Sequence, residues 1–354
     1  MKKNVNVLFF PYWPANPYQP NLAGALREKG VIVKGVKDDS FQALAHSVKN
    51  QDILHIHWTN PYMLAPKLSI SIRNSLHFYR FLKNQKKTGR KLVWTIHNLG
   101  EHEPRHPGFE LFCHRLLARL SDGIIVHSRY ALEKAVETYR LERQADKIRI
   151  IPHGNYMGNY PNDISCDQAR EKLGIGAEKK VFLFFGSIRE YKGLPELISA
   201  FSKIATGSEL LILAGNPLHE KIKVEISRLA ADREDIIFYP GFIPDEEIQV
   251  YMNGADVVVY PFRDIFTSGS VLLAMSFAKP LLVPDIESLE DVKKEGGAIT
   301  YVPQESNGLE KALSMALSAD FQKLGKLNFK AAQKLSWDFI ADETARFYSQ
   351  ILDQ

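Results

Sequence analysis

The chain reads DVVVY from Asp256 to Tyr260 and DIFTSGSVLLAMSFAKPLLVPD from Asp264 to Asp285. A valine run, a polar turn, a short apolar helix over residues 270–278 and a second apolar run at Leu281–Val283 spell strand, turn, helix, strand. Thr267 or Ser268 suits the N-cap, since its hydroxyl can accept a bond from an early helix N–H. Gly269 admits a ligand close to the backbone. The helix aims free N–H groups and its positive dipole end at the turn, an arrangement suited to phosphate. An ordinary capped helix would use the same residues, so the turn acquires meaning only from the rest of the chain.

Working outward, the same alternation recurs. Apolar runs at 6–10, 31–36, 53–56, 92–96, 123–126 and 148–151 alternate with helical patterns at 22–29, 73–86, 109–120 and 130–139. HGNYMGNYPNDISCD (153–167) reads as a linker. A second series then begins with VFLFFG, ELLILAG and IIFYPG. Strand–helix alternation implies parallel sheets covered on both faces. The expected fold is α/β, with two Rossmann-like doubly wound domains facing a central cleft. They should span 1–160 and 161–335, with a helix over 336–354 crossing back to the first. In such sheets ligands bind beyond the carboxyl ends of the strands.

The 354 residues suit two domains, and 45% apolar with 24% charged residues suits a globular protein. Cys113 and Cys166 make no disulfide framework, which together with a first strand beginning just after Met1 leads to a cytoplasmic expectation. The net charge of +4 hides an asymmetry: residues 1–100 hold 15 Lys or Arg against Glu28, Asp38, Asp39 and Asp52, giving +11 and leaving −7 for the remainder. Residues 67–91 carry eight basic side chains and no acid, with Ile72, Leu76, Tyr79 and Leu82 on one predicted helical face. This segment is a candidate for an anionic membrane surface, here the inner face of the plasma membrane. A solvated surface helix packed on the sheet is the other reading. Nucleic acid is not expected, because no aromatic-basic recognition motif accompanies the charge.

The second domain opens with FFGSIREYKGLPELISAF (184–201). Gly186 and Ser187 end a strand, Arg189 and Lys192 follow on a turn, and Gly193 precedes a helix. A planar guanidinium and a compact ammonium on such a loop can clamp a diphosphate. With the turn Thr267, Ser268, Gly269 and Ser270 on the same sheet edge, the sequence resembles GT-B glycosyltransferases of the family-4 type. The resemblance continues through ILAGNP (212–217), YPGFIPDEEIQVYMNGADVVVYP (239–261), AMSFAKPLLVPD (274–285) and SWDFIADETARFYSQIL (336–352). It departs where the family usually carries two glutamates, at Ile265 and Leu273. It is closest to a divergent branch like bacterial exopolysaccharide β-mannosyltransferases, which have a TSG turn there.

The resemblance implies a hexosyltransferase needing no metal or cofactor, with a GDP-sugar or UDP-sugar donor and mannose favoured. The acceptor would be a glycan or a lipid-linked sugar. Gly186, Ser187, Arg189, Lys192 and 267–270 would hold the diphosphate. Gly241 and Phe242 would frame the base, and Glu246 or Glu247 would meet the ribose. His97 in WTIHNLGEHEPRH (94–106) matches a family histidine near the donor sugar, with His102 and Glu103 as further catalytic candidates. His57 in HIHWTNPY (55–62) is another strand-end candidate, and Gly154 is a candidate for approach to phosphate. FPYWPANPYQPN (10–21) stands in place of the family's glycine-rich loop and reads as a stiff aromatic loop, able to stack on a sugar or to pack. Two alternatives are a nucleotide-sugar epimerase on the same fold and a non-catalytic sugar-nucleotide-binding subunit.

Overall fold

The computed structural model describes residues 5–101 and 105–354, so His102 and Glu103 lie outside the described residues. The chain forms two compact units: Met1–Gly154 with Leu335–Gln354, and Asn155–Lys334.

In the first unit six parallel strands run β1 (Val5–Phe10), β2 (Val31–Gly35), β3 (Ile53–Ile56), β4 (Lys91–Thr95), β5 (Gly123–Val126) and β6 (Ile148–Ile150). Their spatial order is β2-β1-β3-β4-β5-β6. Phe9 pairs with His55, Trp94 with Ile124 and Val126 with Ile150. β3 and β5 are buried along their whole length, as unbroken apolar strands covered on both faces should be.

Three expectations change here. The segment 10–21 is not all loop, because the helix Tyr18–Glu28 starts inside it. Pro20 falls in its first turn, where a missing N–H costs no helical bond. Tyr18 is therefore a core residue, and Gln19 ties down the loop by donating to the Pro11 carbonyl (2.7 Å) and accepting from the Trp13 N–H (2.8 Å). The expected linker likewise ends in a helix, Cys166–Leu173, whose start is fixed by a capping box between Ser165 and Gln168. Finally, the basic helix Leu68–Lys87 buries Ser71, Ser75, Phe78, Phe81 and Leu82. Ile72 and Leu76 face solvent rather than sharing a covered face with Leu82.

The helix Trp337–Leu352 belongs to the first unit. Ser336 caps it by accepting from the Phe339 N–H, and it packs along Tyr18–Glu28. Phe347 and Ile351 fill the space over Gly123 that a side chain would need.

In the second unit the strands are β7 (Lys180–Phe185), β8 (Glu209–Gly215), β9 (Ile236–Pro240), β10 (Val257–Val259), β11 (Leu281–Pro284) and β12 (Ala298–Tyr301). Their order, β12-β11-β10-β7-β8-β9, is the Rossmann order, with its switch point between β7 and β10. One apolar core runs through this unit and includes Ile265 and Leu273. The two positions that could have carried glutamates are thus taken up by core packing.

Gly123→Val would force Phe347 and Ile351 off the end of the sheet. We expect a loss of about 1–3 kcal/mol, read as a lowered Tm. An unchanged Tm would show that the C-terminal helix is not seated on β5.

Candidate active site

In the second unit the loops following β7 and β10 flank the switch point. Gly186 closes β7 at φ 126°, a conformation that favours glycine, and its N–H donates to the Ala214 carbonyl (3.0 Å). Gly215, at φ 152°, lacks the Cβ that would collide with the Gly186 carbonyl, so the two strand ends close on each other. Gly193 follows in the left-handed region against the Pro261 carbonyl, pinning the β7 loop to the β10 loop.

This pinning brings Lys192 and Ser270 together. The Lys192 Nζ and the Ser270 Oγ lie 3.8 and 3.2 Å from the point where a Cβ on Gly186 would stand. Lys192 is only 5% exposed, with Nζ 5.7 Å from the Phe184 ring and 5.9 Å from the Phe262 ring. Among the described residues its ammonium has neither a hydrogen bond nor an ion pair. Burial, and then the positive charge of Arg189, lower its pKa to about 8. A buried cation with another cation beside it and no counter-ion among the described residues is a site arranged for an anion. Aromatic faces offer it only modest compensation.

Ser268 is the N-cap of the helix Gly269–Ser276, its Oγ accepting from the Val271 N–H. The amides of Gly269 and Ser270 are left without partners among the described residues. The buried Thr267 Oγ1 also lacks one. Gly269 does not leave its space open for a ligand: the Tyr156 hydroxyl occupies the position its Cβ would take. At the end of β9, Gly241 has φ 144° and Phe242 is 78% exposed, with Glu246 and Glu247 exposed beyond it. Ser187 is exposed and Arg189 half-buried.

In the first unit the polar chemistry is a row of imidazoles. His57 follows β3, His97 β4, His127 β5 and His153 β6, each within three residues of its strand's end. His57 Nδ1 lies 3.2 Å from His97 Nε2, His97 Nδ1 lies 3.4 Å from His127 Nε2, and His127 Nδ1 donates to the Ile151 carbonyl (2.9 Å). The Tyr18 ring sets its edge or face against all four. Trp58 stacks on His97 (4.6 Å) and on Trp13 (4.5 Å), so the loops after β1 and β3 meet at this sheet's switch point. Burial keeps these rings neutral, lowering His127 to about 4 and His153 to about 3, with His57 and His97 well below the usual value.

The loop after β4 is tied down from below. The Glu101 N–H donates to Glu110 (2.7 Å), Asn60 donates to Glu101 (2.6 Å), and the Tyr139 hydroxyl donates to the Leu99 carbonyl (2.6 Å). Burial raises the Glu110 carboxyl. Gly154 is covered by the Trp337 ring, which removes it as a phosphate approach. His127 was not singled out from the sequence. The signal was nevertheless present, since HIH, TIH, IVH and IPH all end apolar runs.

Two Rossmann-like units, one with an unneutralised lysine at its switch point, define the GT-B class. Residues 166–333 match the family Glycosyl transferases group 1, and residues 40–154 match Glycosyltransferase Family 4. The chain is a GT-B glycosyltransferase of the family-4 type. It is 25% identical over 296 residues to the GDP-mannose:glycolipid 4-beta-D-mannosyltransferase of Xanthomonas campestris pv. campestris, covering 83% of this chain and 77% of that one. It is 27% identical over 297 residues to the lipopolysaccharide 1,2-N-acetylglucosaminetransferase of Salmonella typhimurium, covering 80% and 72%. In fold it resembles the sucrose-phosphate synthase of Thermosynechococcus elongatus (TM-score 0.73, 20% identity, 99% and 100% covered). It also resembles Anabaena HepE in complex with UDP and glucose (TM-score 0.72, 17% identity, 98% and 100% covered).

The neutral histidines make stability depend on pH. A histidine whose folded pKa lies below its unfolded value of about 6.5 contributes fully above 6.5, and the contribution is lost as pH falls below it. Each such ring should cost about 1.4 kcal/mol per pH unit below 6.5 until its folded pKa is reached. Urea unfolding of the full chain at pH 7.5 and 5.5 should show a drop of several kcal/mol at the lower pH; equal values would mean that the row is not buried and neutral.

Proposed function

We propose that this glycosyltransferase moves a hexose, with mannose favoured, from a GDP- or UDP-sugar to a hydroxyl of a lipid-linked or polysaccharide acceptor. The carrying observation is the unneutralised Lys192 ammonium, converging with Ser270 on Gly186 at the switch point of the second unit. Breaking the anomeric bond leaves a nucleotide diphosphate whose charge grows in the transition state. Lys192, Arg189 and the amides of Gly269 and Ser270 meet that charge without reorganising, which is what makes preorganised charge effective. Protein cations would serve here in place of a divalent ion. Ser187 and Thr267 would add hydroxyl contacts to the phosphates. The exposed Phe242 ring beside Gly241 gives the base a surface to lie on, and Glu246 or Glu247 would meet the ribose. His97 would lie beside the reacting carbon, and His102 or Glu103, a few residues further along the sequence, would serve the acceptor hydroxyl. Mannose is favoured by the likeness to the Xanthomonas enzyme, whose name specifies GDP-mannose and a glycolipid.

The first unit supports an acceptor at a membrane surface. Leu68, Ile72 and Leu76 form an exposed stripe on the helix Leu68–Lys87, with Leu76 51% exposed, and Phe112 stands out on the adjoining helix Pro107–Leu120. Lys67, Arg73, Arg80, Lys83 and Lys87 flank the stripe on the exposed face and form no ion pair among the described residues. Apolar anchors among unpaired cations fit the interface of an anionic bilayer. No helix among the described residues is long and apolar enough to cross a membrane.

Nucleotide release from GDP-mannose and UDP-glucose, with and without a lipid-diphosphate acceptor, tests the donor assignment. Lys192→Ala should lower kcat by 100-fold or more, the scale seen for removing one preorganised charge-stabilising donor. Wild-type turnover should survive a chelator, and GDP or UDP affinity should fall about tenfold per unit above pH 8, where free Lys192 loses its proton. Turnover undiminished in Lys192→Ala would refute the diphosphate site. Acceptor-independent formation of an isomeric nucleotide sugar would instead identify an epimerase.

Sedimentation with anionic vesicles should be strong at low salt, weak at high salt, and reduced at least tenfold by Ile72→Glu with Leu76→Glu. No binding to such vesicles at low salt would refute the membrane assignment alone.

A further inference from the structure

We propose that His127 and His57 are positioning residues that hold His97 in a single neutral tautomer, through a hydrogen-bond chain that starts at the Ile151 carbonyl. The proposal rests on the assignment of His97 to the reacting centre made above.

The direction of the chain follows from its first link. A carbonyl oxygen only accepts, so the 2.9 Å contact puts the His127 proton on Nδ1. A neutral imidazole has one N–H, which leaves His127 Nε2 a lone pair. Across 3.4 Å, His97 Nδ1 must then be the donor. His97 Nε2 in turn carries a lone pair and accepts from His57 Nδ1–H at 3.2 Å. The chain therefore ends at His57 Nε2 as a bare acceptor. Within the row, that nitrogen is the buried ring atom without a hydrogen-bond partner. Running the protons the other way would face the His127 Nδ1 lone pair with that of the Ile151 carbonyl. Packing supports the same arrangement: His57 stacks on His55 (4.3 Å), Trp58 on His97, and Tyr18 closes over the rings.

Both nitrogens of His97 are therefore engaged, and the ring cannot act as a free base. Its role is to be oriented and uncharged. Glycosyl transfer builds positive charge at the anomeric carbon, and an imidazolium beside that carbon would oppose it, whereas a neutral ring does not. The backbone of β6 thus sets the proton position on a ring two strands away.

The direct test is long-range proton–nitrogen NMR of the full chain, labelled with nitrogen-15 histidine, at pH 7.5. His57, His97 and His127 should each show a protonated Nδ1 and a bare Nε2. A protonated Nε2 on His97 or His127 overturns the proposal, and this result depends on no variant folding. His127→Phe should convert the His97 pattern to a mixture and lower turnover of whichever of GDP-mannose or UDP-glucose the wild type uses by about tenfold, the scale of one net hydrogen bond. His127→Gln, whose amide oxygen can accept from His97 Nδ1–H, should restore both. An unchanged His97 pattern in His127→Phe refutes the relay, whatever happens to turnover. A changed pattern with full turnover leaves the relay standing and refutes the placement of His97 at the reacting centre.

Discussion

Parallel pairing sends the carboxyl end of every strand to one edge of its sheet, and each unit of this protein concentrates its polar chemistry at that edge. In the second unit the constraint is tightened by glycine. Because Gly215 has no side chain, the Gly186 carbonyl can pass over it, and because Gly193 adopts a left-handed conformation, the β7 loop can fold down on Pro261. Only then do Lys192 and Ser270 converge. The ammonium is held by backbone geometry in an aromatic setting, and its charge remains available because no carboxylate among the described residues pairs with it.

The first unit uses the same edge differently. Of its four strand-end imidazoles three are buried and His97 is half-buried; all contact one tyrosine, and His57, His97 and His127 are linked by hydrogen bonds. Burial acts in opposite directions on the usefulness of the two groups. For Lys192 it leaves a charge that lacks a partner, whereas for the histidines it suppresses charge and makes tautomer the relevant variable. One unit therefore presents an electrostatic deficit and the other a set of fixed dipoles.

Much of this architecture was legible in the chain. The runs Ile53–Ile56, Gly123–Val126 and Glu209–Gly215 and the helix Leu194–Ile204 fall where apolar continuity and flanking polar residues put them. The loop motifs at 186–193 and 267–270 were legible for the same reason, since they directly follow such runs. Features decided by distant packing were not. That Tyr18 enters the core, that Tyr156 occupies the space beside Gly269, and that Trp337 covers Gly154 all depend on residues far along the chain. The exposed face of Leu68–Lys87 was misread because helical periodicity identifies a stripe but not which stripe faces inward. Here small and aromatic residues (Ser71, Ser75, Phe78) are buried while Leu68, Ile72 and Leu76 stay outside. The histidine row escaped because its members lie up to about a hundred residues apart and become neighbours only through strand order.

The second unit is an insertion within the first, whose segment Leu335–Gln354 is made only after the whole of the second unit. During synthesis the nascent β5 waits with its end uncovered while some two hundred further residues emerge, and the second unit can reach its native state first. Domains fold as units as they leave the ribosome. Here the unit begun earlier is the later to mature, so a chain that stopped before Leu335 would carry a finished second unit attached to an incomplete first unit with an open apolar seam.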